Sequence, residues 1–476
     1  MKFDFSTSAG AYEIDRTGSN LTPVGGLVAF ASFVNSLGVL DLLDRHFPVE
    51  RSSNNALPVR DILVGFLLTT LLDGQRFSDI RFIQNDPVVG EAFGVRKRIP
   101  GDDTVRRLFE RIKPEAGRTL MYAANQYLYK SLPDYYILDW DSTVTTRFGN
   151  QEGVEIGYNP AKPGRGSHCP LVCSVAGIRL CLDMEMRPGN SHTAGGWIQS
   201  MERLFSHLPD GKLPWLNRAD IGFCAEDFLQ WHEAKADRPH YLFKLRKTKK
   251  VQEAIRSVSD EQWQGPASIN ALQLAECQLQ LSGWNKKRRV VLGRRLISKQ
   301  SPEDSGTLFG ICEYHYYAYV TDLSMEQFSC WQIADLYDKR ADCENIFDEL
   351  KNQWGLGGFC SQKQGVTEFA ARKTLFAYNL WSLFVRFFNV DCHQEAKTSR
   401  REFMLLPAKL VKSARQKHVG ISVTERCWDR IQEGYARLIH WMRSNAPQLN
   451  LGTTIANMTI AFQNNFSPKL LIDCGS

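Results

Sequence analysis

The sequence predicts an α/β protein in which an α/β core follows a helical segment and is interrupted by a β-rich insertion. Two observations carry this prediction. Apolar residues recur at helical spacing through much of residues 1–130, whereas short β-branched and aromatic runs alternate with helical stretches between residues 135 and 245. At 476 residues the chain is long enough for two or three domains, each with its own core.

Residues 1–130 are predicted to form a helical N-terminal domain. Four amphipathic segments are expected there, over residues 24–47, 58–72, 77–93 and 103–112, the last capped by Asp103 and Thr104. No helix-turn-helix motif is sharp enough to name. This domain therefore either binds DNA or supports the domain that follows.

Residues 131–247 are predicted to form the first part of an α/β core. A buried strand is expected over 135–144, a hairpin through Gly177 over 170–186, and strands over 215–223 and 240–245. Helices are expected over 193–208 and 225–236. A strand, a hairpin and then alternating helices and strands is the order of a ribonuclease-H-like core.

Residues 248–328 read as a β-rich insertion with short strand-like pieces at 278–281, 288–292 and 314–321. Residues 329–390 would complete the core and include a helix over 367–388 that is apolar enough to be buried. Residues 391–476 form a mixed C-terminal region with further helix. The predicted fold class is therefore α/β: a ribonuclease-H-like core interrupted by a β-rich insertion, with a helical N-terminal domain and a helical C-terminal region.

The formal net charge of +6 is mild but unevenly spread. Basic residues concentrate in segments 244–250 and 286–299, and no acidic residue lies between Glu276 and Glu303. A patch of one sign suits a polyanion, so we expect the insertion to contact phosphates. The residues expected to do so are Lys286, Lys287, Arg288 and Arg289. Trp284, just before them, would either stack on an unpaired base or, as we favour, belong to the core.

The cysteines and the hydropathy indicate in which cellular compartment the protein is expected. The twelve cysteines include no C-x-x-C motif and no zinc-finger spacing with histidine, which indicates reduced thiols in a cytoplasmic protein. The N-terminus lacks a signal-peptide apolar core, and no stretch of about 18 apolar residues would span a bilayer. Neither a phosphate-binding Walker loop nor G-x-G-x-x-G occurs, which disfavours a nucleotide-binding enzyme.

Segment 335–351, D-L-Y-D-K-R-A-D-C-E-N-I-F-D-E-L-K, is predicted to be one continuous helix. On it Arg340, Glu344 and Lys351 fall within about 60° of Tyr337, whereas Glu349 falls on a side that faces water. An Arg340–Glu344 pair of this spacing is common on solvated helices. The same stripe also offers what a site for phosphate and metal needs.

Aspartates at two strand ends are candidate partners for Glu344. Asp139 and Asp141 are two residues apart in the first strand and so point to the same side. They either bind a cation or mark the exposed end of the strand. Asp220 ends an apolar run before a glycine, where it would either serve chemistry or cap the next helix.

The spacing Tyr-x2-Arg-x3-Glu-x6-Lys resembles the signature of a clan of bacterial insertion-sequence transposases. All four positions match, as Tyr337, Arg340, Glu344 and Lys351. In that clan the glutamate is the third member of an Asp-Asp-Glu metal-binding triad on a ribonuclease-H-like fold. An insertion also sits at the place of 248–328.

The resemblance implies the other members of the triad. Asp141, in Asp-Ser-Thr, matches the first acid, with Asp139 as the fallback, and Asp220, in Arg-Ala-Asp-x-Gly-Phe, matches the second. Segments 157–171 and 187–193 resemble the stretches that follow the first acid in one subgroup. His168-Cys169 departs from the pattern, where a second aromatic residue or histidine is expected.

These residues predict a chemistry. Asp141, Asp220 and Glu344 are expected to be catalytic and to bind Mg²⁺ or Mn²⁺, because hard oxygen ligands suit those ions and two ions about 3.5–4 Å apart serve phosphodiester cleavage. Tyr337, Arg340 and Lys351 are expected to bind DNA, Arg340 bidentately and Lys351 as a point charge. Should Glu344 not serve, Glu349 or Asp348 would take its place.

The predicted function is an insertion-sequence transposase that cleaves DNA at the element ends and transfers the strand to target DNA. Its partners would be the terminal inverted repeats, the target DNA and a second copy of the chain, with no membrane. Two alternatives remain, a DNA-binding protein with an inactive core and a nuclease of the same fold that does not transpose.

Overall fold

The computed structural model describes residues 3–7, 10–14, 20–50, 53, 55–86, 88–192, 195–300, 311–390, 392–413 and 416–444. The chain forms two compact units. The first lies within Met1–Arg111, Gln353–Gly355 and Leu380–Leu449, and the second within Ile112–Asn352 and Leu356–Asn379. The expected division of the chain into consecutive domains therefore differs from this grouping, in which segments from both ends build the first unit.

The N-terminal part of the first unit begins with strands that the sequence did not indicate. These are β1 (Phe3–Thr7), β2 (Gly10–Ile14) and β3 (Leu21–Thr22), of which β1 and β2 pair antiparallel. The helices that follow are α1 (Leu27–Ser36), α2 (Val39–Arg45), α3 (Val59–Leu71), α4 (Val89–Ala92) and α5 (Asp102–Glu110).

The predicted helices are confirmed most closely at α3. The expected helix over 24–47 is split into α1 and α2 at Gly38, whose φ of 66° ends a right-handed helix. Among the described residues of segment 77–93, the structure shows a 3₁₀ turn, Phe77–Phe82, and the short α4 in place of one helix. Helix α5 begins after Gly101, so Asp103 lies within its first turn rather than at its cap.

The second unit opens with α6 (Pro114–Ala124) and α7 (Gln126–Tyr129) and contains an eight-stranded mixed sheet. Its first strands are β4 (Ile137–Ser142), β8 (Leu171–Val175), β9 (Leu180–Glu185), β10 (Leu216–Ala219) and β11 (His240–Lys244). Strands β10 and β11 run parallel to β4, whereas β8 and β9 form the predicted antiparallel hairpin beside it. A separate small sheet consists of β5 (Thr145–Thr146), β6 (Glu155–Ile156) and β7 (Gly166–His168).

The strands of the insertion extend this same sheet instead of forming one of their own. They are β12 (Leu272–Leu279), β13 (Arg288–Gln300) and β14 (Ile311–Thr321), and β14 pairs antiparallel with β11. The order across the sheet is β12-β13-β14-β11-β10-β4-β8-β9. The insertion strands are longer than the sequence indicated.

Six further helices lie between α7 and residue 390 in the part of the chain that the structure describes. They are α8 (Trp197–Phe205), α9 (Glu226–Glu233), α10 (Lys249–Ser257), α11 (Cys330–Asp338), α12 (Asp342–Gln353) and α13 (Gln364–Val385). Helix α13 is almost entirely buried, as its apolar sequence predicts. Helix α10, inside the predicted β-rich insertion, was not expected.

The C-terminal part of the first unit is mixed, as predicted. It contains α14 (Ala396–Ser399), a π-helical turn (Arg400–Met404), β15 (Ala408–Ser413), β16 (Gln416–Ile421) and α15 (Glu425–Ser444), and β15 pairs with β3. Residues 445–476 of the predicted C-terminal region lie outside the described residues. Its core is aromatic, with Phe30 packed against Trp381 and Phe384 at centroid distances of 5.5 and 5.3 Å.

Within the described residues no single helix is both long and apolar enough to cross a membrane. One bent pair, Leu27–Ser36 with Val39–Arg45, meets that test by length and composition only.

One face of the large sheet positions the candidate site. Ile137 and Leu216 on β4 and β10 belong to a buried cluster that includes Ile333 and Leu336 of α11. Since side chains alternate along a strand, residues two and four positions farther along β4 and β10 lie on the same face. That face therefore passes from an apolar core to charged residues at its carboxyl end.

Candidate active site

Asp141, near the end of β4, and Asp220, directly after the neighbouring parallel strand β10, lie at one edge of the sheet. Asp139 of β4 pairs in register with Arg218 of β10, and Trp140 pairs with Ala219. One step farther along, the same register brings Asp141 opposite Asp220, which directly follows β10. Adjacent strands lie about 4.8 Å apart, so the two carboxyl groups share one edge of the sheet.

The electrostatic environment of Asp141 confirms that its neighbours are charged. Burial raises the pKa of Asp141, the Arg340 guanidinium opposes that shift, and the negative charge of Asp220 adds to it. Arg340 Nη2 lies 2.8 Å from Asp141 Oδ2, and the Ser142 backbone N–H donates to Oδ1 at 2.7 Å. Asp141 is thus a partly shielded carboxylate that the protein neutralises with an arginine.

Asp139, the fallback for the first acid, is fully engaged elsewhere. Its side chain is 2% exposed, and Nε and Nη2 of Arg218 each donate to one of its oxygens at 2.7 Å. Arg218 therefore holds Asp139 inside the unit, whereas the Asp141 side chain, nearer the end of β4, is 18% exposed.

The predicted continuous helix over 335–351 is not present. Helix α11 ends at Asp338, a 3₁₀ turn spans Lys339–Ala341, and α12 begins at Asp342. A 3₁₀ turn advances about 120° per residue instead of about 100°, so three such residues rotate everything beyond them by about 60°. The single stripe drawn from Tyr337 through Glu344 is therefore broken.

Two consequences of that rotation correct the prediction. Glu349, predicted to face water, is buried at 1% exposure, whereas Glu344 is exposed. Within the described parts of the chain, no group of three or more carboxylate, imidazole or thiol side chains could hold a metal ion. The expected convergence of Asp141, Asp220 and Glu344 is therefore incomplete in this structure.

The other three residues of the Tyr-x2-Arg-x3-Glu-x6-Lys signature interact with the aspartates, Arg340 by a direct bond and Lys351 and Tyr337 through charge. Besides its bond to Asp141, Arg340 donates to the Trp140 carbonyl at 3.3 Å. Burial lowers the pKa of Lys351, and the negative charge of Asp141 opposes that shift, which places the ammonium group near the same carboxylate. Tyr337 packs against Tyr319 at a centroid distance of 4.5 Å.

The charged residues of the site also affect the ionisation of the Tyr337 hydroxyl. Burial raises the pKa of Tyr337 and the Asp220 and Asp141 carboxylates raise it further, while Arg340 opposes them. The phenol is therefore a neutral group beside two carboxylates. Its ring belongs to the core, and its hydroxyl borders the site.

The basic run of the insertion is largely neutralised from within. Arg288 is buried and bonds to Glu226 and Glu233, each at 2.7 Å, and Lys286 also reaches Glu233 at 2.9 Å. Lys287 is exposed. Of these three cations, only Lys287 therefore has a side chain that points to solvent without a carboxylate partner among the described residues.

Arg289 is likewise turned inward. Its guanidinium meets Glu276 at 2.6 Å and donates to the backbone carbonyls of Leu323, Ser324 and Phe328. The structure thus places Arg288 and Arg289 as internal counterions, which corrects the expectation that they face DNA. Trp284 is buried with the Arg288 guanidinium 5.1 Å from its ring, as the favoured core assignment predicts.

A second basic segment, to which the sequence pattern assigned no site residues, lines the same cavity as the residues directly after Asp220. Arg246, Lys247 and Lys249 follow β11, are exposed, and have no carboxylate partner in the described part of the chain. Arg246 and Lys249 line a cavity of about 480 Å³ whose wall also contains Ile221 and Gly222, the residues directly after Asp220. Their position after a core strand was the signal available in the sequence.

The residues present fit a divalent metal ion in part. Asp141 and Asp220 supply hard oxygen donors on one sheet edge, which is the ligand type that Mg²⁺ and Mn²⁺ prefer. The Arg340 guanidinium now compensates the charge that a cation would compensate. The third predicted donor, Glu344, would have to turn inward to join them.

Comparisons with known proteins were made for the whole chain. A family model described as transposase DDE domain group 1 matches residues 7–441. No curated protein matches the sequence. Among solved structures, the chain is similar to the piggyBac transposase in a cryo-EM structure of its synaptic complex with hairpin DNA. That match has 11% sequence identity and a TM-score of 0.39, and covers 93% of this chain and 88% of the other.

Proposed function

Because the chain belongs to the transposase DDE domain group 1 family, and is therefore a transposase, we propose that it moves an insertion sequence. In this proposal it cleaves DNA strands at the element ends and joins the freed 3′-hydroxyl to target DNA. The observation that carries the proposal is the placement of Asp141 and Asp220 at matched positions of neighbouring parallel strands, with Arg340 bound to the first.

The strand arrangement supports a ribonuclease-H-like core. Strands β9, β8 and β4 form an antiparallel meander, and β10 and β11 add parallel strands on the other side of β4. In such sheets, ligands bind beyond the carboxyl ends of the parallel strands, where Asp141 and Asp220 lie.

The site residues divide the work by charge. DDE transposases use divalent metal ions, and we propose Mg²⁺ or Mn²⁺ held by Asp141, Asp220 and Glu344. When bound, such an ion stabilises the negative charge that builds on phosphodiester oxygens during cleavage. Asp141 and Asp220 would offer carboxylate oxygens to the ion, and Glu344 would join them once α12 turns it inward.

Arg340, Lys351 and Tyr337 handle the DNA in this proposal. In the DNA-free chain Arg340 neutralises Asp141. A phosphate at the site competes for that guanidinium, which binds phosphate oxygens bidentately, whereas Lys351 acts as a point charge. We assign to the neutral Tyr337 hydroxyl the donation of a hydrogen bond to a phosphate oxygen.

The DNA contacts away from the two aspartates are assigned from the exposure of basic side chains. Arg246, Lys247 and Lys249, together with Lys287, are the exposed cations that we propose to contact phosphates. Arg288 and Arg289 support the insertion from inside and are withdrawn from that set, and Lys286 is partly satisfied by Glu233. The partners are terminal inverted repeats and target DNA, with a homodimer cutting the two ends.

The test is cleavage of DNA that carries the sequences flanking the gene. In Mg²⁺ the wild-type chain should cut at the repeat ends and join the 3′-end to a second DNA. The exposed Glu344 specifically favours one alternative, a DNA-binding protein with an inactive core, which would bind the repeats without cutting. Cutting without joining would indicate a nuclease.

A further inference from the structure

Arg218 is the most completely buried charged side chain near the site, with 0% exposure. Its three guanidinium nitrogens all donate within the second unit: Nε and Nη2 to the Asp139 carboxylate at 2.7 Å each, and Nη1 to the Leu336 carbonyl. One side chain of β10 is therefore bonded to both β4 and α11.

These contacts lie directly behind the proposed site. Asp139 is two residues before Asp141 on β4, and Arg218 is two residues before Asp220 after β10, so each pair lies on one face of the sheet. Leu336 precedes Tyr337 and the turn that carries Arg340. Arg218 thus links the three segments that bear the proposed triad.

A contribution to stability does not by itself explain why the Arg218–Asp139 ion pair is buried here. Ile137, Leu216 and Ile333 nearby form an apolar cluster. Buried ion pairs replaced by well-packed apolar residues often leave a protein as stable or more stable, because desolvation offsets the attraction between the charges. A bidentate bond does, however, fix direction and spacing more strictly than an apolar contact does.

The Arg218–Asp139 pair also controls the net negative charge behind the proposed site. Without Arg218, the buried Asp139 carboxylate would lose its counterion and add an unpaired negative charge behind Asp220 and the Arg340-paired Asp141. Its burial would then be strongly unfavourable, because no opposite charge would compensate it. With Arg218 in place, Asp139 is compensated and the two outer carboxylates alone face the ligand.

We infer that Arg218 is a positioning residue of the carboxylate site. Through Asp139 and the Leu336 carbonyl it fixes the separation of Asp141 and Asp220 and anchors the segment that presents Tyr337, Arg340 and Glu344. This inference rests on the proposed function, since it assigns Arg218 a role toward a cation bound by these residues.

The test replaces the pair with apolar residues of similar size. The double variant Asp139→Leu/Arg218→Met avoids leaving either charge unpaired. It should remain folded, bind DNA as the wild type does, and bind Mn²⁺ about 10–100-fold more weakly, the loss typical when groups that orient metal ligands are removed. Mn²⁺ binding to the full chain is measured by electron paramagnetic resonance, and folding by thermal denaturation.

Two single variants complete the test, one at Asp139 and one at a control position. Asp139→Asn keeps the shape and hydrogen-bond acceptor, and should weaken Mn²⁺ binding in the same direction even if the double variant does not fold. Asp183→Asn changes an equally buried partner of an arginine, since Arg372 Nη1 lies 2.6 Å from Asp183 Oδ1. That variant should bind Mn²⁺ like the wild type.

The outcomes separate the two claims. Wild-type Mn²⁺ affinity in a folded Asp139→Asn or double variant overturns the role of Arg218, as does an equal loss in Asp183→Asn. A wild-type chain that neither binds Mn²⁺ nor cleaves DNA overturns the proposed function, on which the inference rests. A loss confined to the Arg218–Asp139 variants supports the inference.

Discussion

Asp141 experiences two opposing influences, burial that favours its neutral acid and an arginine that favours its carboxylate. Burial is the larger, and the pKa of Asp141 is raised. Arg340 at 2.8 Å is the main group that opposes this shift. At the residue scale, the readiness of the site to bind a cation is set by this balance.

A first prediction concerns that balance. In Arg340→Ala the cation that lowers the pKa of Asp141 is removed, so the pKa rises further and the carboxylate forms only at higher pH. The acid limb of the cleavage pH–rate profile should therefore move to higher pH. Its plateau should be lower, because residue 340 can no longer bind a phosphate oxygen.

Arg340→Lys is the matched variant. It keeps the charge but not the bidentate geometry, so its acid limb should stay near the wild-type position while its plateau remains low. Both variants are compared over pH 5–9 at saturating Mg²⁺, after their folding has been checked by circular dichroism. An unshifted acid limb in Arg340→Ala would remove Arg340 from control of Asp141.

A second prediction concerns Glu344. Glu344→Gln keeps the shape but loses the charge, and should reduce cleavage by more than about 100-fold, since weaker perturbations around metal ligands already cost about 10–100-fold. DNA binding should be nearly unchanged, because the exposed Glu344 carboxylate is negatively charged and contributes no attraction to phosphates. Glu425→Gln, at an exposed position of α15, is the control, and wild-type cleavage by Glu344→Gln would transfer the role to Glu349 or Asp348.

At the scale of elements, the junction of α11 and α12 matters most. The sequence pattern of segment 335–351 indicates a helix throughout, and local periodicity contains no signal for the 3₁₀ turn at Lys339–Ala341. The turn draws Arg340 onto Asp141, which lies on a strand far earlier in the chain. Glu349 and Glu344 consequently exchange the exposures that a straight helix predicts.

The basic run shows the same limit of local patterns. Residues 286–289 look like a cationic surface because their counterions are distant in sequence. Glu226 and Glu233 come from α9, and Glu276 from the neighbouring strand β12. Only the pairing of strands and the packing of α9 reveal which cations are compensated, so the sequence alone could not predict which of them are exposed.

A third prediction follows for DNA binding. Changing Arg246, Lys247 and Lys249 to glutamine should weaken DNA binding and lower the slope of log K against log salt by about two to three units, since each neutralised phosphate contributes about 0.9. Fluorescence anisotropy over 50–200 mM salt measures the slope. Lys130→Gln/Lys235→Gln, two exposed lysines outside this segment, should leave it unchanged, and an unchanged slope in the triple variant would exclude the segment.

A fourth prediction concerns the opposite face of the sheet. Asn217 Nδ2 lies 3.0 Å from His232 Nε2, which therefore accepts, while His232 Nδ1 donates to the Phe228 carbonyl at 2.7 Å. This arrangement requires neutral imidazole, and burial lowers the pKa of His232 to about 4. The unfolded histidine titrates near its ordinary value of about 6.5.

The sign of the effect on stability follows. Between pH 6.5 and 4 the unfolded chain binds a proton that the folded chain does not, so His232 makes stability fall by about 3 kcal/mol as the pH drops through that window. Above pH 6.5 its contribution is constant. His232→Gln should flatten this part of the stability curve, measured by urea denaturation, whereas the exposed-site variant His440→Gln should not.

At the scale of the molecule, the sequence predicted the core strands and misjudged their neighbours. β4, the β8–β9 hairpin, β10 and β11 lie where buried, β-branched runs indicate them, because a buried strand has a local signature. That the insertion strands continue the same sheet depends on pairing between β11 and β14, which are far apart in the chain, and no local pattern reports it. The family match spans segments of both compact units.

The central claim, that Asp141 and Asp220 form the heart of a DNA-cleaving site, is tested most directly by one comparison. Wild-type protein and Asp141→Asn are incubated with a plasmid carrying the inverted repeats that flank the gene, in Mg²⁺, and strand breaks are mapped. We expect breaks at the repeat ends with wild type and none with the variant, although both bind the repeats. Equal cleavage by Asp141→Asn, or none by the wild type, would contradict it.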